Sequence, residues 1–329
     1  PNPDLRWEKV GMANLGLDFA FRNNRVKGTV EYFRKHSRDL LSPAPVDPTS
    51  GFNSVNVNSA HLNGHGVDLQ LQTVNTTGAI AWTTRWLFSY NKNKVSRYLR
   101  DRSNAGAYIS SGMSVHPVEG APVYALYSYR WAGLDSLGNP QGLKEGKPSR
   151  DYNGIRTSGL EGLVLHGSAV PITYGAIRNT LTWKGVSLSA NITYHLGYFF
   201  RRSTISYSNL FARWDSHSDF ARRWQQPGDE FKTTVPSMVY PANSRRDDFY
   251  ASSEATVERG DHIRLQDIRL SYDTGSVGGK NRPFQNLQLY LYLSNLGILW
   301  QASPSGIDPQ YGSSLPPQKS LSLGITAHF

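Results

Sequence analysis

A chain of 329 residues with no cysteine is long enough to bury a core but can form neither disulfides nor thiolate metal sites. Hydrophobic residues make up 38%, and no apolar run approaches the roughly 18 residues of a transmembrane helix, which excludes helical spanning. The net charge of +10 suits an anionic membrane surface or a nucleic-acid partner without deciding between them; a mean hydropathy of −0.48 is no argument for solubility, because strands of a membrane barrel are polar at alternate positions.

The opening "PNPDLRWEK" has no apolar signal-peptide region, so an exported protein would have lost its leader or carry it upstream. Residues 13–21 alternate: Ala13, Leu15, Leu17, Phe19 and Phe21 oppose Asn14, Gly16, Asp18 and Ala20, the period of a strand with one apolar face. Asn23, Asn24 and Arg25 form a tight turn before a strand over 26–40. The stretch 42–60 reads as a long loop, followed by a strand at 65–74 and a short turn at 75–78. Ile80, Trp82, Thr84, Trp86, Phe88 and Tyr90 then alternate with Ala81, Thr83, Arg85 and Ser89. After a long loop, 91–121, the segment 121–170 reads as one strand, a hairpin or a loop. Strands at 171–184 and 186–198 meet at Lys184 and Gly185; the second sets Val186, Leu188, Ala190, Ile192, Tyr194, Leu196 and Tyr198 against Ser187, Ser189, Asn191, Thr193 and His195. The longest loop, 201–259, precedes a strand at 262–273 and a modest turn at 275–282. In the next strand Leu287, Leu289, Leu291 and Leu293 oppose Gln288, Tyr290, Tyr292 and Ser294. A loop at 299–318 leads to the last strand, in which Leu321, Leu323, Ile325, Ala327 and Phe329 lie opposite Ser320, Ser322, Gly324, Thr326 and His328.

The chain is therefore all-β, and its connections alternate between short and long. Short turns at one end and long loops at the other are the mark of an outer-membrane barrel, with turns in the periplasm and loops outside. A final strand ending at the periplasmic rim requires an odd strand number: nine if 121–170 is loop, eleven if it is a hairpin.

Particular stretches go further. "NPDLRWEKVGMANLGLDFAFRNNRVKGTVEYFRKHSRDLL" at 2–41 resembles the characteristic segment of the SusC/RagA family of TonB-dependent outer-membrane transporters. "LYSYRWAGLDSLGNPQG", "PITYGAIRNTLTWKGVSLS" and "ERGDHIRLQDIRLSYD" are similar to later family elements in the same order, with His262 where a tyrosine is usual, and "SNLGILW" and "GIDPQYG" resemble those before the closing strand. The resemblance implies the C-terminal part, about nine to eleven strands, of a barrel of about twenty-two. The plug, the N-terminal strands and a TonB box would lie outside residues 1–329, since open sheet edges cannot stand in lipid. It also implies import of glycans or peptides across the outer membrane, a SusD-like surface lipoprotein as partner, and TonB acting through the missing N-terminal part. Further partners are the remaining barrel, the plug and outer-membrane lipid, with no enzyme activity and no cofactor. Alternatives are a SusC-like barrel serving as scaffold in an outer-membrane assembly or secretion complex, and a secreted sugar-binding β-sandwich.

Site residues follow from alternation. Asn191, Thr193, His195, Gln288, Tyr290 and Tyr292 lie opposite apolar stripes and are the expected lumen-facing set. Trp214, Trp224, Arg222 and Arg223 in the longest loop are candidates for contact with a partner or ligand; packing or ion pairing within the loop is the competing reading. Phe329, Ile325 and Leu323 form the terminus that the resemblance marks as the barrel-insertion signal. No catalytic constellation is present. His61 and His65 fall on a strand, where four residues separate them by about 13 Å and preclude a metal pair. The basic pairs offer no continuous groove for nucleic acid.

Overall fold

The computed structural model describes residues 3–45, 49, 51, 54–99, 104–110, 117–274, 286–312 and 314–328. Its frame is one antiparallel sheet of nine strands: β1 (Lys9–Phe21), β2 (Val26–Pro45), β3 (Ser54–Thr77), β4 (Ala81–Tyr98), β10 (Thr173–Trp183), β11 (Val186–Leu196), β14 (His262–Asp273), β15 (Asn286–Gln301) and β16 (Ser320–His328). Each strand pairs with its neighbours along this series, so 121–170 adds no strand to the sheet. Between β4 and β10 runs a first excursion with α1 (Ala105–Ser110), β5 (Ala125–Tyr129), β6 (Trp131–Leu134), β7 (Pro140–Lys144), β8 (Lys147–Ser149), α2 (Tyr152–Thr157) and β9 (Leu163–Ser168). Between β11 and β14 runs a second, with β12 (Phe199–Arg201), α3 (Tyr207–Arg213), α4 (Ser244–Ala251) and β13 (Val257–Arg259).

The turns at one end are as tight as their residues permit. Phe21 pairs with Val26 across the four residues Arg22–Arg25, of which Arg22, Asn23 and Asn24 are in the left-handed region, which asparagine tolerates best among residues bearing a Cβ. Trp183 pairs with Val186 across Lys184 and Gly185, at φ 44° and 82°, the two-residue geometry that matches strand twist.

The stretch 42–60 is not the long loop the sequence suggests. β2 runs to Pro45 and β3 starts at Ser54, and β4 continues to Tyr98, eight residues past Tyr90. β10 and β11 have 11 residues each, close to the roughly 9–11 that cross a bilayer, whereas β2, β3 and β4 have 20, 24 and 18. The surplus lies at the long-loop end. Where both faces of a ladder meet water or polar neighbours, hydrogen bonding continues without alternation, so sequence "YNKNKVSRY" reads as loop. There Val95 is fully buried beneath the first excursion, exchanging backbone hydrogen bonds with Gly120 and Ala121.

The two excursions fold together into a cap. Tyr127, Tyr129, Ile155 and Leu163 of the first share a core with Phe249 on α4 of the second. The Phe249 ring stacks on Tyr152 at 5.2 Å and Tyr129 at 5.6 Å. Gly142 makes room, since a Cβ there would lie 2.7 Å from that ring. A second core joins Ile205, Tyr207 and Val235. The final loop is tied in as well. Asp308 of "GIDPQYG" receives a hydrogen bond from Arg264 on β14, whose guanidinium also lies over Tyr311, so two sequence stretches of separate resemblance meet in one part-buried pair.

Candidate functional site

Side chains directly opposite in an antiparallel sheet share a face. One row therefore crosses all nine strands on a single side: Ala20, Lys27, Gln72, Arg85, Arg178, Asn191, Asp267, Ser294 and Ser320. The adjoining row, on the other side, holds Phe19, Gly28, Leu71, Trp86, Ile177, Ile192 and Leu265. Much of the apolar side is bare: Leu15, Leu17, Leu181, Leu188, Leu270, Leu289, Leu323 and Ile325 are all exposed. Among the described residues no second sheet covers it, which removes the sandwich alternative, whose two sheets would bury their apolar faces against each other.

All six residues expected on the polar side lie there. Asn191 donates to Asp267 at 3.0 Å, and Arg178 reaches the same carboxylate at 3.1 Å. Thr193 sits opposite Ala176. His195 stacks on His262 with ring centroids 5.1 Å apart, and the buried His262 donates from Nδ1 to the Gly260 carbonyl at 2.9 Å. Gln288 accepts from Arg269 at 3.2 Å. Tyr290 lies over Gly324, where a Cβ would come within 2.2 Å of its ring, and carries Arg269 on its other side, 4.8 Å from the centroid. Tyr292 faces Arg269 and Ser322 across the ladders. Of the charges in this wall, alternation over 80–90 already sets Arg85 opposite the apolar stripe, while Arg178, Asp267 and Arg269 are not singled out by it. In β14 a bulge leaves Gln266 unpaired, so Arg264 and Asp267 share a face three residues apart and the period of two breaks. A hollow of about 440 Å³ opens in the wall among Gln70, Gln72, Arg85, Leu87, Ala176 and Arg178.

The four cap candidates separate. Trp214 closes α3 in the left-handed conformation at φ 59° and is 87% exposed. Trp224 is half-buried: its ring lies on Gly138 of the first excursion and its indole N–H donates to Glu230 at 2.9 Å. Arg222 pairs with Asp219, and Arg223 stacks 4.0 Å above Phe220 while donating to its carbonyl. Other basic residues are structural. Arg201 donates to the carbonyls of Tyr127 and Ile109, Arg202 binds Asp219 and Glu258, and Arg246 donates to Asn139, Gly138 and Ser237. Phe231 and Tyr240, 88% and 81% exposed, join Trp214 on the surface of the second excursion; no periodicity distinguishes them in the sequence. Leu323 and Ile325 are exposed on the apolar side of β16, while Phe329 lies outside the described residues. His61 and His65 both fall on β3, and the described residues contain no cluster of three or more potential metal ligands.

With this geometry in view, comparison with known proteins is specific. Residues 1–296 match the family model for the TonB dependent receptor-like beta-barrel. The TonB-dependent receptor P26 of Formosa agariphila is 26% identical over 91% of the chain, and the TonB-dependent receptor SusC of Bacteroides thetaiotaomicron is 22% identical over all of it. The chain spans about a third of these relatives, 31% and 32% of their lengths. Among solved structures, the RagAB peptide transporter superposes with a TM-score of 0.75 at 21% identity, over 99% of this chain and 36% of that one, which establishes the likeness of fold.

Proposed function

Because the chain belongs to the TonB-dependent receptor-like β-barrel family, we propose that it forms the C-terminal part of the barrel wall of a SusC-like importer in a bacterial outer membrane. The remaining strands and the plug belong, in this reading, to the rest of a longer protein. The observation that carries it is the nine-stranded sheet with one side apolar and bare and the other lined by hydrogen-bonding and charged groups. The first suits lipid and the second a polar lumen. Asn191, Thr193, His195, Gln288, Tyr290 and Tyr292 would then face the passage, as passive wall rather than catalytic groups. The cargo we assign is a peptide or glycan; the peptide arm draws on the RagAB likeness and the glycan arm on the SusC/RagA resemblance. Uptake of labelled peptides and oligosaccharides by cells expressing the full receptor, with and without TonB, tests this. TonB-independent uptake, or none of either class, would turn the assignment toward a scaffold.

Orientation follows: the cap would stand outside the cell and the tight turns in the periplasm. A tag inserted after Gly228, in an exposed bend of the second excursion, should be labelled on intact cells, while one at Thr77 should be labelled only after permeabilisation. The reverse pattern would invert the topology.

The cap is the proposed seat of a SusD-like lipoprotein, with Trp214 as anchor. Exposed aromatic side chains at interfaces are the usual hot spots, each worth about 2 kcal/mol or more, roughly thirtyfold in affinity. Trp214→Ala should weaken copurification of the lipoprotein by about that factor, and because the indole is 87% exposed the receptor should fold unchanged. Undiminished copurification would exclude Trp214 from the interface.

A further inference from the structure

The cap also holds a pocket that none of the foregoing uses. Between α1, α2 and α4 lies a hollow of about 280 Å³ whose rim carries Arg156, Arg245 and Asp248 and whose wall includes Tyr129, Tyr152 and Phe249. Those rings form the stack already described, and the Tyr152 hydroxyl is committed to the Pro140 carbonyl at 2.9 Å, so the wall is rigid and largely apolar. Arg156 is positioned by an absent side chain: a Cβ on Gly106 would lie 2.7 Å from its Cγ and 2.9 Å from its Nε.

The arginines of the cap divide by what they bind. Arg201, Arg202 and Arg246 are saturated by carbonyls and carboxylates and hold the fold together. The guanidinium groups of Arg156 and Arg245 make no hydrogen bond or ion pair among the described residues, although both border the same small cavity. The carboxylate of Asp248, one turn beyond Arg245 on α4, likewise has no hydrogen-bond donor among them. Partial desolvation at the rim, reinforced by the neighbouring charge of Asp247, pushes its carboxyl above the usual range against the opposing pull of Arg156. An N–H or O–H donor from outside would relieve it. Two cations without a hydrogen-bonding partner among the described residues, one acceptor and a flat aromatic wall define a complementary ligand by its chemistry.

We propose that this hollow binds a carboxylate carried on a compact apolar or ring-shaped body with a hydrogen-bond donor beside it, the carboxylate between Arg156 and Arg245 and the donor on Asp248. Two sources share that chemistry: the free C-terminus of a peptide, whose last amide N–H is the donor, and a uronic acid, whose ring hydroxyls are. The site does not depend on the direction of transport or on the lipoprotein.

The test uses the full receptor in detergent and titration calorimetry with four probes: an N-acetylated dipeptide as its free acid and as its C-terminal amide, and glucuronic acid beside glucose. One acid should bind, and its uncharged counterpart should bind at least about tenfold more weakly. Which acid binds identifies the source. Arg156→Gln and Arg245→Gln should each weaken that acid by about tenfold, and Asp248→Asn by less. Arg213→Gln, at an exposed arginine outside the hollow, should change nothing. All these side chains are exposed, so a melting curve matching the parent is expected for each. Equal binding of acid and neutral probe, affinity indifferent to Arg156 and Arg245, or no binding of either acid up to about 10 mM would overturn the proposal.

Discussion

Asp219→Ala will loosen the cap by about 1–3 kcal/mol while leaving the nine-stranded sheet intact, because it takes one of two carboxylate partners from a buried guanidinium. Asp219 has no solvent exposure and takes hydrogen bonds from Arg202 at 2.6 Å, Thr204 at 2.7 Å and Arg222. Without it, the buried Arg202 retains, among the described residues, Glu258 as its ionic partner at 3.2 Å. The same carboxylate sets a pH limit. Burial alone would raise its pKa, but the donors Thr204 and Arg202, the charge of Arg202 and the bond from Arg222 outweigh burial and hold it below the usual range. A depressed folded pKa stabilises above the unfolded value, and that contribution disappears as pH falls through the folded one. The parent cap should therefore resist a protease through mild acid and open only below the ordinary carboxylate range, whereas Asp219→Ala should be cut within 199–260 already at neutral pH. Equal cleavage of the two at neutral pH would show that this cluster does not hold the cap.

Ile177→Glu will cost more than Ala176→Glu, although the two positions are adjacent. Ile177 pairs with Trp86 and Ile192 on the apolar side near the middle of β10. In the proposed outer-membrane setting this side meets lipid, where a charge at mid-depth costs about 2–4 kcal/mol for arginine and somewhat less for an acid. Ala176 lines the hollow of about 440 Å³ on the opposite side, beside Arg85 and Arg178, where a glutamate finds space and complementary charge. The amount of receptor reaching the outer membrane, and its resistance to unfolding by heat in detergent, should fall for the first and stay near the parent for the second. If both fall equally, the two sides of the sheet do not differ in their surroundings.

The comparison of these neighbours rests on something visible in the chain itself. Alternation in 13–21, 186–196 and 287–293 places Leu188, Ile192 and Leu291 on one side and Asn191, Gln288 and Tyr290 on the other, and the registers repeat that division. Local chemistry was enough there, since a strand between an apolar and a polar medium must change character at every residue. The tight turns were legible for the same reason: Asn23, Asn24 and Gly185 accept left-handed backbone at small cost.

Three features needed the folded chain. The outer halves of β2 and β4 have no alternation, because a ladder outside an apolar medium is held by backbone bonds that any sequence can make, and in β3 the alternation of Val55 and Val57 with Asn56 and Asn58 is too short to mark a strand by itself. The bulge at Gln266 hid Arg264 and Asp267 from a count by twos, although they anchor the last loop and the wall. The cap was least visible of all: Trp214 and Trp224 read alike in sequence, yet one is a bare surface ring and the other a clamp on Gly138. Period encodes which medium a strand faces, and so the sequence determined the sheet and its two sides. The folding of irregular segments depends on contacts between residues as distant as Tyr129 and Phe249, which only the tertiary structure decided.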